Sequence, residues 1–183
     1  KFFSYAESEG YISKNPIKGL KIPKDNEDTI TEDIVRTIET FTDDEIKILI
    51  DSLGHTKLRY IVLFALFTGA RQGEIIALEK NDINNGVVKI NKMAKRVKTF
   101  DNDGSFKYEL KITKPKTKNS NREVPLPDVL QKELKKFDIL VKEEKIKLGM
   151  AYSENKLLFP SLTGTYMDDK NLRASWQKAL KVS

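Results

Sequence analysis

Phe67-Thr68-Gly69-Ala70-Arg71-Gln72-Gly73-Glu74-Ile75-Ile76-Ala77-Leu78 is the stretch that decides how this chain folds. It reads as the end of one helix, a turn marked by Gly69, and a further helix carrying Ile75, Ile76 and Leu78. Arg71 falls in the first turn of that helix, where the macrodipole makes a cation unfavourable by up to ~1 kcal/mol. A cation in such a place suggests an anion, because helix N–H groups and a guanidinium fork can converge on the same oxygens. Glu74 lies three residues on, on the same helical face, and is placed to orient Arg71. Spacing alone leaves open the plainer alternative, an exposed arginine paired with Glu74.

Upstream, Thr42-Asp43-Asp44-Glu45 has the form of a capping box. The helix it opens runs through Leu53, with Ile46, Leu49, Ile50 and Leu53 on one face. Gly54 stops it, and residues 56–67 form a second helix so apolar around its circumference that it belongs at the centre of the domain. Downstream of the quoted stretch, Asn84-Asn85-Gly86 marks a turn, and β-like alternation recurs at 87–91, 106–113 and 123–126. These three segments predict a three-stranded antiparallel sheet. A long helix opens at Pro127 or Asp128 and runs to about residue 147, with Val129, Leu130, Leu134, Phe137, Leu140 and Val141 as its inward stripe. Leu157-Leu158-Phe159-Pro160 reads as a short buried extended piece, and Asp168 or Asp169 caps a last helix carrying Leu172, Trp176, Ala179 and Leu180. The class is α+β, mostly helical, with a small sheet.

Composition narrows the functions. The chain has 183 residues, 39% hydrophobic and 33% charged, with nine Gly and six Pro, which is the profile of a globular protein. Cysteine is absent, which excludes a disulfide framework, an iron–sulfur cluster and a thiol nucleophile, and a reducing cytoplasm fits best. His55 is the only histidine, so a histidine metal cluster cannot be assembled; it reads as loop surface. There is no phosphate-binding Gly-Lys-Ser/Thr loop and no dinucleotide glycine fingerprint. The longest apolar run, residues 60–67, has eight residues against the ~20 of a spanning helix. No charged-then-apolar leader follows Lys1, and both ends are expected to be cut.

Charge is unevenly spread. Residues 86–122 hold eleven basic side chains and three acids, a local net of +8, so the rest of the chain carries −2 of the total +6. Positive potential gathered on one element suits a protein that contacts nucleic-acid backbone, although a solvated lysine-rich hairpin has the same pattern. Within it, Lys114-Pro115-Lys116-Thr117-Lys118 forms a turn whose lysines can offer a proton as well as a charge. Spacing does not choose among Lys114, Lys116 and Lys118.

The run 67–78, with Asp82-Ile83 behind it, resembles the first signature box of the tyrosine recombinase (phage integrase) family. Pro115-Lys116-Thr117-Lys118-Asn119-Ser120-Asn121-Arg122-Glu123-Val124-Pro125-Leu126-Pro127 is similar to that family's catalytic-domain hairpin, and Leu158-Phe159-Pro160 follows in family order. The longer excursion at 92–106 resembles integrases of Gram-positive phages and conjugative transposons. Glu9-Gly10-Tyr11-Ile12-Ser13-Lys14-Asn15-Pro16 is similar to the end of the family's helical core-binding domain. The resemblance implies a remnant of that SAM-like domain over 1–22, a linker over 23–40 and the N-terminal part of the catalytic domain over 41–183.

By the same resemblance Arg71 holds the scissile phosphate, Glu74 supports it, and Lys116 is the general acid for the departing 5′-oxygen. The DNA contacts expected are Lys95, Arg96, Lys114, Lys118 and Arg122. The implied activity is site-specific integration or recombination through a 3′-phosphotyrosyl intermediate, with no metal or other cofactor. The implied partners are duplex DNA attachment sites, a homotetramer on DNA and an accessory DNA-bending protein, with no membrane involved and a bacterial or phage-encoded protein in the cytoplasm. The family's second box and tyrosine nucleophile are expected beyond residue 183, since none of Tyr5, Tyr11, Tyr60, Tyr108, Tyr152 or Tyr166 has a matching context; the chain alone is then expected to be inactive. The alternatives are a non-catalytic DNA-binding or architectural protein, and an RNA-binding protein with a basic hairpin.

Overall fold

The computed structural model describes residues 2–20, 40–102, 104–114 and 121–181. The chain divides into two compact units, 1–40 and 41–183. In the first, α1 (Phe2–Ser8) buries Ala6. The chain turns at Asn15, which donates its backbone N–H to Glu7 at 3.2 Å and accepts from the Ile17 N–H at 3.0 Å. The expected linker over 23–40 lies outside the described residues except for Thr40.

The second unit is built around α3 (Lys57–Thr68), which runs between α2 (Asp43–Ser52) and α5 (Asp128–Leu148). The capping box of α2 is complete: the Thr42 hydroxyl accepts from the Glu45 N–H and the Glu45 carboxylate accepts from the Thr42 N–H at 2.8 Å. Phe64 has no exposed surface and stands edge-on to Phe159, with ring centres 5.3 Å apart. Phe137 of α5 meets Phe159 at 5.2 Å and Tyr60 at 5.2 Å. Each such fully buried side chain contributes about 1.5–3 kcal/mol of transfer free energy. Ile50 of α2, Leu53 at its C-terminal cap and Val62 of α3 form a second cluster, against which Trp176 of α6 (Asp169–Leu180) packs.

The inward stripe of α5 differs from expectation at one position. Leu130, Phe137 and Val141 are buried, whereas Val129 is 64% exposed. Val129 stands about 100° round the helix from Leu130, at the edge of the stripe and in the first turn of α5.

A three-stranded antiparallel sheet is present, in the order β1 (Ile83–Asn84), β2 (Val87–Ile90), β5 (Arg122–Pro125). Asn85 and Gly86, both at positive φ, form the two-residue loop between β1 and β2, the conformation this kind of turn requires. Val88 and Ile90 point into the core while Lys89 points out. The membership of the sheet differs from the sequence expectation, because residues 106–113 are not in it and β1, not expected as a strand, is the third member. They form β4 (Phe106–Thr113), which pairs with β3 (Met93–Phe100) along eight residue pairs in a separate two-stranded ribbon. The strand at 93–100 carries too little apolar alternation to be read as one. The Asp101 N–H donating to the Ser105 carbonyl and the Gly104 N–H to the Asp101 carbonyl, with Gly104 at positive φ, nevertheless set the register locally, and local pairing closes the shorter loop. No helix among the described residues is long and apolar enough to cross a membrane.

Candidate functional site

α3 ends on Gly69, whose left-handed φ of 62° lets its N–H reach the Ala65 carbonyl. The buried Thr68 hydroxyl donates to the Phe64 carbonyl at 2.6 Å and accepts from the Ala70 N–H, which sets the direction of exit. Arg71 then stands as the N-cap of α4 (Gln72–Ala77), in extended conformation, one position before the first turn predicted for it. Its carbonyl accepts from the N–H groups of Glu74 and Ile75, which starts the helix.

α4 is short but held on two sides. Ile75 packs into the main core, while Ile76 and Ala77 pack against Ala94 of β3. Gly73 makes this contact feasible: a Cβ there would lie 2.7 Å from the Ala94 carbonyl oxygen.

Glu74 is the buried centre of the site, with only 2% of its surface exposed. One carboxylate oxygen accepts the Arg71 backbone N–H at 2.9 Å, and the Arg71 guanidinium lies 3.4 Å from the other. Arg122 binds the same carboxylate with both terminal nitrogens, at 2.9 and 3.2 Å, and also donates to the Gly69 carbonyl at 3.1 Å. Burial by itself would raise the Glu74 pKa. The hydrogen bond from Arg122, the Arg71 N–H and the two positive charges outweigh it and hold the carboxyl below the usual glutamate range. The result is a buried anion gripped from two sides, above which the Arg71 side chain stays 72% exposed. An exposed guanidinium whose stem is fixed from beneath can bind a phosphate without a large loss of side-chain freedom.

The other predicted contacts are placed unequally. Lys95 and Lys114 are exposed, at the base of the ribbon and the end of β4. Arg96 is tied to Asp168 at 2.6 Å and lies 3.7 Å from Asp169, so it joins the ribbon to the start of α6. Asp168 caps α6, and the Asn171 and Lys170 N–H groups, with Arg96, hold its pKa low despite the opposing cost of desolvation. Lys116 and Lys118 lie outside the described residues. Arg122, expected to touch DNA, is committed to Glu74. Its role as a second support was not readable from the sequence, because its partner is 48 residues away and carries no mark beyond its own place next to Arg71. His55 is exposed, as expected for a loop. Among the described residues no group of three or more acidic, histidine or cysteine side chains is placed to hold a metal ion.

No protein-family model matches the chain. It is 39% identical over 184 aligned positions, 98% of this chain, to "Tyrosine recombinase XerC-like" of Caldanaerobacter subterraneus subsp. tengcongensis, and covers 46% of that relative. It is 27% identical, over 97% of this chain, to the "Prophage ps2 probable integrase" of Lactococcus lactis subsp. lactis, again covering 46% of it. The chain thus spans about half the length of the curated relatives it matches. In fold it is similar to the Tn1549 transposon integrase solved in complex with a circular intermediate DNA, with a TM-score of 0.59 and 17% identity over 98% of this chain and 54% of the other. It is also similar to the XerA recombinase, with a TM-score of 0.52 and 19% identity over 78% of this chain and 41% of the other.

Proposed function

Given that the chain belongs to the tyrosine recombinase (phage integrase) family, we propose that it supplies the first part of the catalytic apparatus of a site-specific DNA recombinase. In this reading, residues 1–22 end a helical core-binding domain, 23–40 link it onward, and 41–183 begin the catalytic domain. The observation that carries the reading is Arg71: an exposed guanidinium fixed from below by a buried carboxylate that a second arginine also holds. Arg71 binds the non-bridging oxygens of the scissile phosphate and stabilises the charge that grows on them in the transition state. Glu74 positions it, and Arg122 holds Glu74 ionised. Lys116 donates a proton to the departing 5′-oxygen while a tyrosine takes the 3′-phosphate. Tyr60 and Tyr152 are sealed in the core and are poor candidates for that nucleophile; it is assigned to none of the six tyrosines.

Lys95, Lys114 and Lys118 contact the DNA backbone. Arg96 and Arg122 act from the positions that their carboxylate partners impose. The assembly on duplex attachment sites is a homotetramer, with an accessory bending protein where the site requires it. Rejoining needs no metal or nucleotide, because the phosphotyrosyl ester conserves the phosphodiester energy.

In the whole recombinase, Arg71→Ala should abolish strand cleavage with a modest loss of duplex binding, measured side by side in one buffer. Equal losses in both would reduce Arg71 to a positioning contact and favour a non-catalytic DNA-binding protein. Lys116→Ala should slow cleavage, and a 5′-phosphorothiolate substrate, whose leaving group needs no proton, should restore most of the rate.

A further inference from the structure

The β3–β4 ribbon has one face that begins in the core and continues beyond it. Residues paired directly across the ribbon share a face, so Ala94, Arg96, Lys98 and Phe100 lie on the same side as Phe106, Tyr108, Leu110 and Ile112. At the base, Ala94 and Leu110 pack against α4. Toward the tip the same side is mostly uncovered: Phe100, Phe106 and Tyr108 are 68%, 54% and 56% exposed, with the Lys170 ammonium of α6 6.0 Å from the Tyr108 ring centre. Their rings still form a row, with centres 6.3 Å apart for Phe100 and Phe106 and 5.9 Å for Phe106 and Tyr108. The Lys98 ammonium stands 3.7 Å from the Phe106 ring centre, and the Arg96 guanidinium 5.9 Å from that of Tyr108.

Cross-strand packing explains why the rings meet but not why half or more of each faces water. Charge complementarity indicates the occupant. Lys107 is matched by Asp101 and Glu109, and Arg96 by Asp168, whereas Lys95, Lys98, Lys111 and Lys114 have no acidic partner among the described residues. Of these four, Lys98 stands among the aromatic rings, while Lys95 and Lys111 pair with each other on the opposite side of the ribbon; aromatic faces beside an unmatched cation suit a polyanion whose units carry flat rings. A duplex hides its base faces; a single strand offers them. We propose that this overhanging face, Phe100, Phe106 and Tyr108 with Lys98, binds unpaired single-stranded DNA by stacking its bases. An exposed cation–π contact is weaker than base–aromatic stacking, so an arriving base displaces Lys98, whose ammonium then turns to the neighbouring phosphate. The inference rests on the recombinase reading only for the source of the strand, since exchanging strands requires bases to unpair.

The test is fluorescence anisotropy of the 183-residue chain with three labelled probes: an oligothymidylate of about twelve nucleotides, an abasic strand of equal charge, and a duplex of equal length. The oligothymidylate should bind about tenfold more tightly than the abasic strand. Phe106→Ala and Tyr108→Ala should each lose about tenfold on oligothymidylate and change duplex binding less than about twofold. Phe106→Trp should retain binding, with its added fluorescence quenched by the strand. Equal affinity for the abasic strand, or parallel losses on single strand and duplex, would overturn the proposal. So would a wild-type dimer that Phe106→Ala dissolves, because the face would then join two copies of the chain. Any of these outcomes would leave the cleavage test at Arg71 intact.

Discussion

Replacing Glu74 by glutamine keeps the size of the side chain and removes its charge, so the effect can be worked from the geometry. Glutamine keeps one oxygen, enough to accept the Arg71 N–H now bound at 2.9 Å. Its amide nitrogen then faces a terminal nitrogen of Arg122, and two donors oppose each other where a two-pronged contact at 2.9 and 3.2 Å existed. A hydrogen bond to a charged group is worth ~1.5–3 kcal/mol. The Arg71 ion pair adds little, because that side chain is 72% exposed and screened. The expected loss is therefore ~2–3 kcal/mol, which at an m-value of ~2 kcal/mol/M lowers the urea midpoint by roughly 1–1.5 M.

The effect should also depend on pH. Folding lowers the Glu74 pKa, so its contribution is complete above the unfolded-chain value of about 4.5 and is lost as the pH falls through the lower folded value. Urea melts of both proteins, followed by circular dichroism from neutral pH downward, should converge on acidification below that range. A neutral-pH difference under ~0.5 kcal/mol, or a gap that stays constant into acid, would refute the buried-anion account of the site.

Two further substitutions probe the frame. Gly73→Ala places a Cβ 2.7 Å from the Ala94 carbonyl, a backbone atom that can move only if α4 and β3 separate, so it should cost ~1–3 kcal/mol despite alanine's better helix propensity; a raised melting temperature would show the contact to be loose. Thr42→Ala removes the cap acceptor of α2 and should cost ~1 kcal/mol, read as a melting temperature lower by about 2–4 °C, while an unchanged value would mean that the α2 terminus frays in the native protein.

Most of the helical frame was legible because its signals are local. Thr42 and Glu45 cap a helix by contacts three residues apart, and the largely apolar residues 57–68 favour a central place, although Leu66 and Phe67 near the end of α3 are 47% and 43% exposed. The turn at Asn85-Gly86 was legible for the same reason, although β1, the two-residue strand before it, was not read. The ribbon was half legible: β4 alternates visibly, but β3 is lysine-rich and half-solvated, so its strand identity comes from its partner rather than from its own pattern.

The sequence by itself determined that Arg71 and Glu74 sit three apart at a helix start, that positive charge gathers between 86 and 122, and that these 183 residues hold no cysteine. Only the tertiary structure decided that Glu74 is buried, that Arg122 grips it from a strand 48 residues away, and that the aromatic side of the ribbon overhangs the body. The reason is physical: capping, periodicity and net charge act within a few residues of each other. Burial and the partner of a buried ion depend on which distant segments the hydrophobic core brings together.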